Sequence, residues 1–365
     1  MHTLLSYSAI IFSSVLFLLL LPHASAAAQG VQEGLQIACS TAIPSLFPFF
    51  VLSGLLIRTG AVQKLSNWCA PLLRRLYGLP GEAAGPLLLG LIGGYPIGAQ
   101  AAYELYQSGT LSRTETEDLL GFCNNTGPAF LIGVCGAGLC GSVKIGLLLY
   151  GIHMISALFT GLAMTSHRMQ CPPAAKRICP AHASFSTSLV ASTEQAGRSC
   201  LKITAFIMLF SMLRRVLEAA GVFALAHTFC APLIWFLGAP PEAAEPLLTG
   251  LLEMTSGLVL LPESCGHALL PAMSLLVGFG GCSVLCQTAA VVSELSVRRV
   301  LYGKVLHGIL AAALTMLSQA AFPISIPTFS SCYALPAGKP AIGFIFCLFS
   351  LFCVIFSGKK HHIPL

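Results

Sequence analysis

Charge is what this chain has least of. Asp, Glu, Lys and Arg together make 9% of its 365 residues, where a soluble domain carries about 25%. A chain so poor in charge is solvated by lipid. Motif spacings are missing too: there is no Walker or Rossmann glycine pattern and no nucleophile elbow, so neither a nucleotide-hydrolysing enzyme nor an acyl-transfer enzyme is expected. The histidines show no ligand spacing. Fifteen cysteines are present, but most lie inside apolar runs (Cys123, Cys135, Cys140, Cys282, Cys286, Cys347, Cys353), where cysteine acts as a small hydrophobe. No zinc or disulfide framework is legible. The net charge of +6 comes with no nucleic-acid module, so no nucleic-acid partner is expected.

Long apolar runs are abundant. A bilayer crossing takes about 20 apolar residues, and the runs 4–26, 33–57, 120–141, 143–165, 199–222, 268–292, 300–321 and 341–357 qualify. Two shorter apolar stretches, 83–103 and 243–262, are broken in the middle by polar or glycine residues. The first run ends in Ala24-Ser25-Ala26, which suits a signal peptidase. It lacks a basic leader and is long, so it reads as a retained helix, with a signal-like segment the alternative.

The chain also repeats itself. CAPLL at 69–73 and PGEAAGPLLLGL at 80–91 return as CAPLI at 230–234 and PPEAAEPLLTGL at 240–251, with nine of twelve positions matching in the longer pair. Apolar bias can align leucines but not Pro-x-Glu-Ala-Ala-x-Pro. A duplicated half interrupted by glycine and proline is the pattern of a transporter built from structural repeats. The expected fold is an all-α polytopic membrane protein of two inverted repeats with re-entrant hairpins and broken helices. Its parts are 1–29, the N-terminal helix; 30–165, repeat 1; 166–198, a polar cytoplasmic-side linker; 199–322, repeat 2; and 323–365, a C-terminal transmembrane helix with a basic tail. If both hairpins are re-entrant and the amino terminus is inside, fifteen Lys and Arg fall inside. Only Lys144, Arg214, Arg215 and Lys339 fall outside, a strong positive-inside bias. Arg214 and Arg215 either anchor a helix at the outer surface or form an anion-attracting mouth.

Four breaks at membrane depth hold the candidate binding residues. Non-helical backbone is tolerated there only in a protein-lined cavity. The first is Gly93, Gly94, Tyr95 and Pro96; the second is Asn124, Asn125, Thr126 and Gly127, closed by Pro128. The third is Glu253, Thr255, Ser256 and Gly257 around Met254; the fourth contains Gly280, Gly281 and Ser283. Freed carbonyls and Asn oxygens can coordinate a cation, and half-helix N-termini offer N–H groups to an anion. Glu253 is the outstanding ionisable group, since a carboxylate at membrane depth is costly. It either serves the solute or a coupled cation, or caps the hairpin's own N–H groups. Gln287 faces the cavity or bonds to a neighbouring helix. No catalytic residue, metal or cofactor is expected; a coupling Na+ or H+ stays open.

GLIGGYPIGAQ, LLGFCNNTGPAFLIG, EMTSG and GFGGCSV together resemble the sporulation integral membrane protein family of the YlbJ type, within the wider group that carries the nucleoside-recognition, or Gate, domain. The resemblance runs over roughly 30–357. The arrangement of hairpins and broken helices is similar to concentrative nucleoside transporters. The resemblance implies a membrane protein of an endospore former, in the cytoplasmic or forespore-surrounding membrane. It would move a small, anionic solute during spore maturation, with dipicolinate the leading candidate. Residues 93–96, 124–128 and Glu253, Thr255 and Gly257 match that family's motifs. Two alternatives accompany this: a nucleoside-type carrier, and a non-transporting scaffold that binds other sporulation membrane proteins through 166–198. Self-association stays open.

Overall fold

The computed structural model describes residues 14–167, 184–261, 263–292 and 294–322. The expected C-terminal helix at 341–357 and residues 168–183 of the expected scaffold loop lie outside them. The protein is 86% helical without strands among the described residues.

The chain enters on a short helix, α1 (Ser14–Leu20), bent by 98° from the segment Ala24–Ala42. α2 (Ala24–Ile37) passes through a π-turn at Ala38–Ala42 into α3 (Ile43–Arg58). α4 (Ala61–Tyr77) follows, then a pair of short helices, α5 (Ala84–Gly93) and α6 (Ile97–Gln107). α7 (Arg113–Cys123) ends at residues 124–128, and the chain continues as a π-helix, Ala129–Leu139, before α8 (Val143–Thr165). The second half repeats this order. It runs α9 (Phe185–Ala219), α10 (Ala226–Leu237), α11 (Ala244–Leu252) with α12 (Met254–Leu260), α13 (Leu269–Phe279) with α14 (Gly281–Val291), and α15 (Val297–Ala321).

The arms of both hairpins are short. The longest, α6, has 11 residues and extends about 17 Å, roughly half the hydrocarbon thickness of a bilayer. Each hairpin folds back on itself because glycines let its arms touch backbone to backbone. A Cβ on Gly98 would lie 2.8 Å from Gly90 Cα, and one on Gly257 would lie 2.2 Å from Gly250 Cα. Helices in lipid gain little from burying apolar surface against each other, so close approach through small residues is what holds them. The same device joins α2 to α9, where Gly30 and Gly34 face the backbone of Met212 and Met208. It also seats α15 against both halves, through Gly303 on Gly121 of α7 and Gly308 on Gly278 of α13.

α4 and α10 occupy equivalent places in the two halves. Their equivalent CAPL segments lie beside Trp68 and Trp235, which are 79% and 85% exposed, as suits aromatic anchors at a membrane surface.

Two expectations need correction. The linker is shorter than 166–198, because α9 begins at Phe185, with Ser184 capping Thr187 N–H. Residues 185–198 are too polar to read as a span. They are nevertheless helical, because Ser188, Ser192, Ala196 and Ser199 form a buried small-residue stripe at helical spacing and Ser192 packs on Gly54. α7 begins at Arg113, as the run 111–118 with its Ser and Thr caps indicates, and is held by a capping box between Ser112 and Glu115. Finally, Lys304 belongs in no tally of surface charge, since it is 1% exposed.

Candidate functional site

The two halves are built in the same way around the candidate site. Gly94, with φ of 78°, sits at the first hairpin tip against Gly127 in the first broken helix: a Cβ on Gly94 would be 3.0 Å from Gly127 N. Gly281, with φ of 78°, sits in the second broken helix against the second tip: its Cβ would be 3.0 Å from Gly250 O and 3.2 Å from Met254 N. Each hairpin tip therefore rests on the broken helix of its own half. Only glycine allows that, both for lack of a side chain and for the left-handed backbone. Tyr95 then reaches across, its hydroxyl 3.7 Å from Met254 Sδ at the start of α12.

Between these parts lies a cavity of about 30 Å³, room for roughly one or two waters. Of the residues put forward from sequence, Gly93, Gly94, Tyr95, Thr126, Gly127 and Thr255 line it. Leu46, Phe49 and Phe50 of α3 and Ile203 of α9 close the sides. Asn124, Asn125, Glu253, Ser256, Gly257, Gly280, Gly281, Ser283 and Pro96 do not line it.

Several residues outside the lining have their own partners. Glu253 is 4% exposed. Its carboxylate oxygens accept from the N–H groups of Thr255 at 2.9 Å and Ser256 at 2.6 Å, so it caps α12 and its charge is offset by that helix end. The Ser256 hydroxyl is 3.2 Å from that of Ser211 on α9. Gln287 donates to Ser283 Oγ at 3.2 Å, within α14. Asn125 Nδ2 donates to Phe122 O at 2.7 Å, and Asn124 Nδ2 donates to Thr288 Oγ1 at 2.7 Å. The side-chain oxygens of Asn124 and Asn125 are buried without a hydrogen-bond partner.

The first broken helix, at 124–128, is held largely by other parts of the chain. Thr126 donates its hydroxyl to Val277 O at 3.2 Å and its N–H to His153 Nε2 at 3.2 Å. Lys304 Nζ, from α15, donates to the Asn124 carbonyl. One turn further along α15, His307 Nε2 donates to His153 O at 3.1 Å, and the two imidazoles lie 4.3 Å apart. His153 Nε2 accepts a hydrogen bond, so that ring nitrogen carries no proton. Lys304, His307, His153 and Thr288 are absent from the sequence-based site. A signal exists, since Lys and His three apart inside an apolar span share one helix face. Counting charges by position instead places Lys304 with Arg298 and Arg299 at the surface.

A second, larger cavity of about 230 Å³ opens beside Ser256, lined by Glu33, Gln36, Ser40, Thr41, Ser211, Arg214 and Arg215 among others. Both arginines are paired with Glu33 and Glu218. They therefore line a mouth but use much of their hydrogen-bonding capacity within it.

Residues 39–170 match the Gate family, described as nucleoside recognition. The chain is 29% identical over 318 residues to the sporulation integral membrane protein YlbJ of Bacillus subtilis strain 168, covering 81% of this chain and 78% of that protein. Its fold is similar to that of CNTnw, a concentrative nucleoside transporter. The TM-score is 0.56 to the inward-facing substrate-bound state, at 14% identity over 89% of this chain and 88% of that one. To a doubly substituted variant of CNTnw in an outward-facing state it is 0.53, at 13% identity over 88% and 87%. This chain is an integral membrane protein, similar over residues 39–170 to the Gate family and along most of its length to YlbJ, with a fold similar to that of CNTnw.

Proposed function

We infer that the protein is a membrane carrier for a small anionic solute. The solute would be bound between the two hairpin tips and the first broken helix. The observation that carries this reading is the shared cavity at membrane depth, lined by non-helical backbone and by residues of both halves. Such backbone is tolerated in a membrane only where it faces protein or a wet cavity. At about 30 Å³ the cavity is too small for such a solute, so binding requires hairpin and broken helix to part. Alternating access supplies that movement.

The preference for an anion rests on charge. Lys304 is the only buried Lys or Arg among the described residues; it does not line the cavity, but its ammonium bonds to the first broken helix that does. Glu253, the carboxylate that would repel an anion, is turned onto the N–H groups of its own helix and does not line the cavity. Dipicolinate is the solute we put first, and the similarity to a sporulation protein supports spore maturation as the setting. The Gate description favours a nucleoside as the second reading.

Counterflow into liposomes containing purified protein separates these readings. Labelled dipicolinate should accumulate and be chased by unlabelled dipicolinate but not by uridine. Accumulation of uridine alone would keep the carrier and replace the solute. Flux of neither, from protein that melts cooperatively, would favour the scaffold reading.

A further inference from the structure

We propose that Lys304 is a tethered cation that takes the place of a coupling metal ion at the first broken helix, so that transport runs without Na+. This rests on the carrier reading above for its functional half, but the geometry stands independently.

Pro128 sets up the arrangement. In a continuous helix the N–H of residue 128 would donate to the carbonyl of residue 124. Proline has no N–H, so the Asn124 carbonyl is left without a helical donor in the middle of an apolar span. A carbonyl freed in this way is where a carrier's broken helix holds a coupling cation. Here Lys304 Nζ donates to that carbonyl instead. It comes from the other half of the molecule, about 10 Å into α15 as counted from Val297.

The surroundings suit a fixed ammonium. Lys304 is 1% exposed, Asn124 is 0% and Thr288 is 1%. The Asn124 side-chain oxygen is also buried without a partner, a second acceptor in the same residue. The α15 backbone is pressed onto α7 at Gly303, where a Cβ would lie 2.2 Å from Gly121 O. That contact delivers the next residue, Lys304, to the end of α7. His307 stays within hydrogen-bonding reach of His153 O, and His153 accepts from Thr126 N–H, which leaves the ammonium as the donor to the freed carbonyl. An ammonium has three donors and no acceptor, so it satisfies oxygens as a small cation does, without leaving the protein.

Two measurements on detergent-purified protein test this. Wild-type melting should not shift between Na+ and N-methylglucamine buffers. Lys304→Ala should melt lower, by roughly 5 °C or more. n-Propylammonium, which matches the side-chain atoms removed, should restore most of that loss in Lys304→Ala and none in wild type. If Lys304→Ala does not fold, Lys304→Met keeps the stem packing and should show the loss without rescue. A wild-type melting point raised by millimolar Na+ overturns the proposal, whatever the variants do. So does a Lys304→Ala protein that folds and ignores the amine.

In liposomes, wild-type counterflow should be equal in Na+ and N-methylglucamine, and counterflow by Lys304→Ala should require the added amine or Na+. Na+-dependent wild-type flux also overturns it. Melting reads the tether without reference to any solute. Amine rescue without flux of any solute would therefore sink the carrier reading and leave the tethered cation standing.

Discussion

Gly90→Val should abolish accumulation of folded protein, while Gly85→Val five residues earlier on the same helix should be accepted. A Cβ on Gly90 would lie 1.6 Å from the Cys123 carbonyl oxygen and 2.7 Å from its carbon, whereas at Gly85 the nearest atom is Ser66 Oγ at 3.7 Å. The obstacle at Gly90 is backbone, which cannot swing aside as a side chain can. The Cys123 carbonyl closes the last turn of α7, so moving it would also displace residues 124–128. Overpacking normally costs about 1–3 kcal/mol. A backbone clash at the junction of three helices should cost more, on the order of 4 kcal/mol or above. Fluorescence-detected size-exclusion and melting of the two variants check this. A monodisperse Gly90→Val protein with wild-type melting would mean that hairpin and broken helix are not docked as described.

The second large effect is on flux alone. Thr255→Val keeps the shape of a side chain that lines the central cavity and removes only its hydroxyl. The fold uses the Thr255 N–H as a capping donor to Glu253, and valine keeps that N–H. Melting should therefore stay within about 1 kcal/mol of wild type. A solute oxygen that has shed its water would then lack a partner, at about 1–3 kcal/mol, which lowers flux roughly ten- to hundred-fold. Thr193→Val, on α9 away from the cavity, is the control: its hydroxyl bonds to Leu189 O within the same helix, and it should transport normally. Equal flux in both variants would remove Thr255 from the solute's path.

Much of this arrangement is legible in the residues, and the remainder is hidden for physical reasons. Single prolines and glycines sit inside helices here, as Pro48, Pro71 and Pro232 do. Clustered with polar residues they mark breaks, so the GGYPIG, NNTGP, EMTSG and GFGG segments announce themselves. The repeated Pro-x-Glu-Ala-Ala-x-Pro aligns the halves without any structure. What a sequence does not carry is direction. Nothing in the spacing says that Glu253 turns onto Thr255 and Ser256 rather than into the cavity. Nor does it say that Thr126 and Gly127 line the cavity while Asn124 and Asn125 do not. Lys304 is instructive because charge counts treat every lysine near a helix start as solvated. The observed burial comes from Gly303 and Gly121, two ordinary glycines 182 positions apart in sequence. The early start of α9 escapes hydropathy for a related reason: serine on a small-residue stripe packs in a membrane protein while scoring as polar.

The central claim is that one site between the hairpin tips and the first broken helix opens to take a solute. Hydrogen–deuterium exchange on protein in nanodiscs, with and without dipicolinate, tests it most directly. Dipicolinate should slow exchange in peptides covering 91–98, 124–131 and 252–258 and leave 143–165 unchanged. Protection confined to the Arg214–Arg215 mouth, or spread evenly over the long helices, would place the solute elsewhere and contradict the claim.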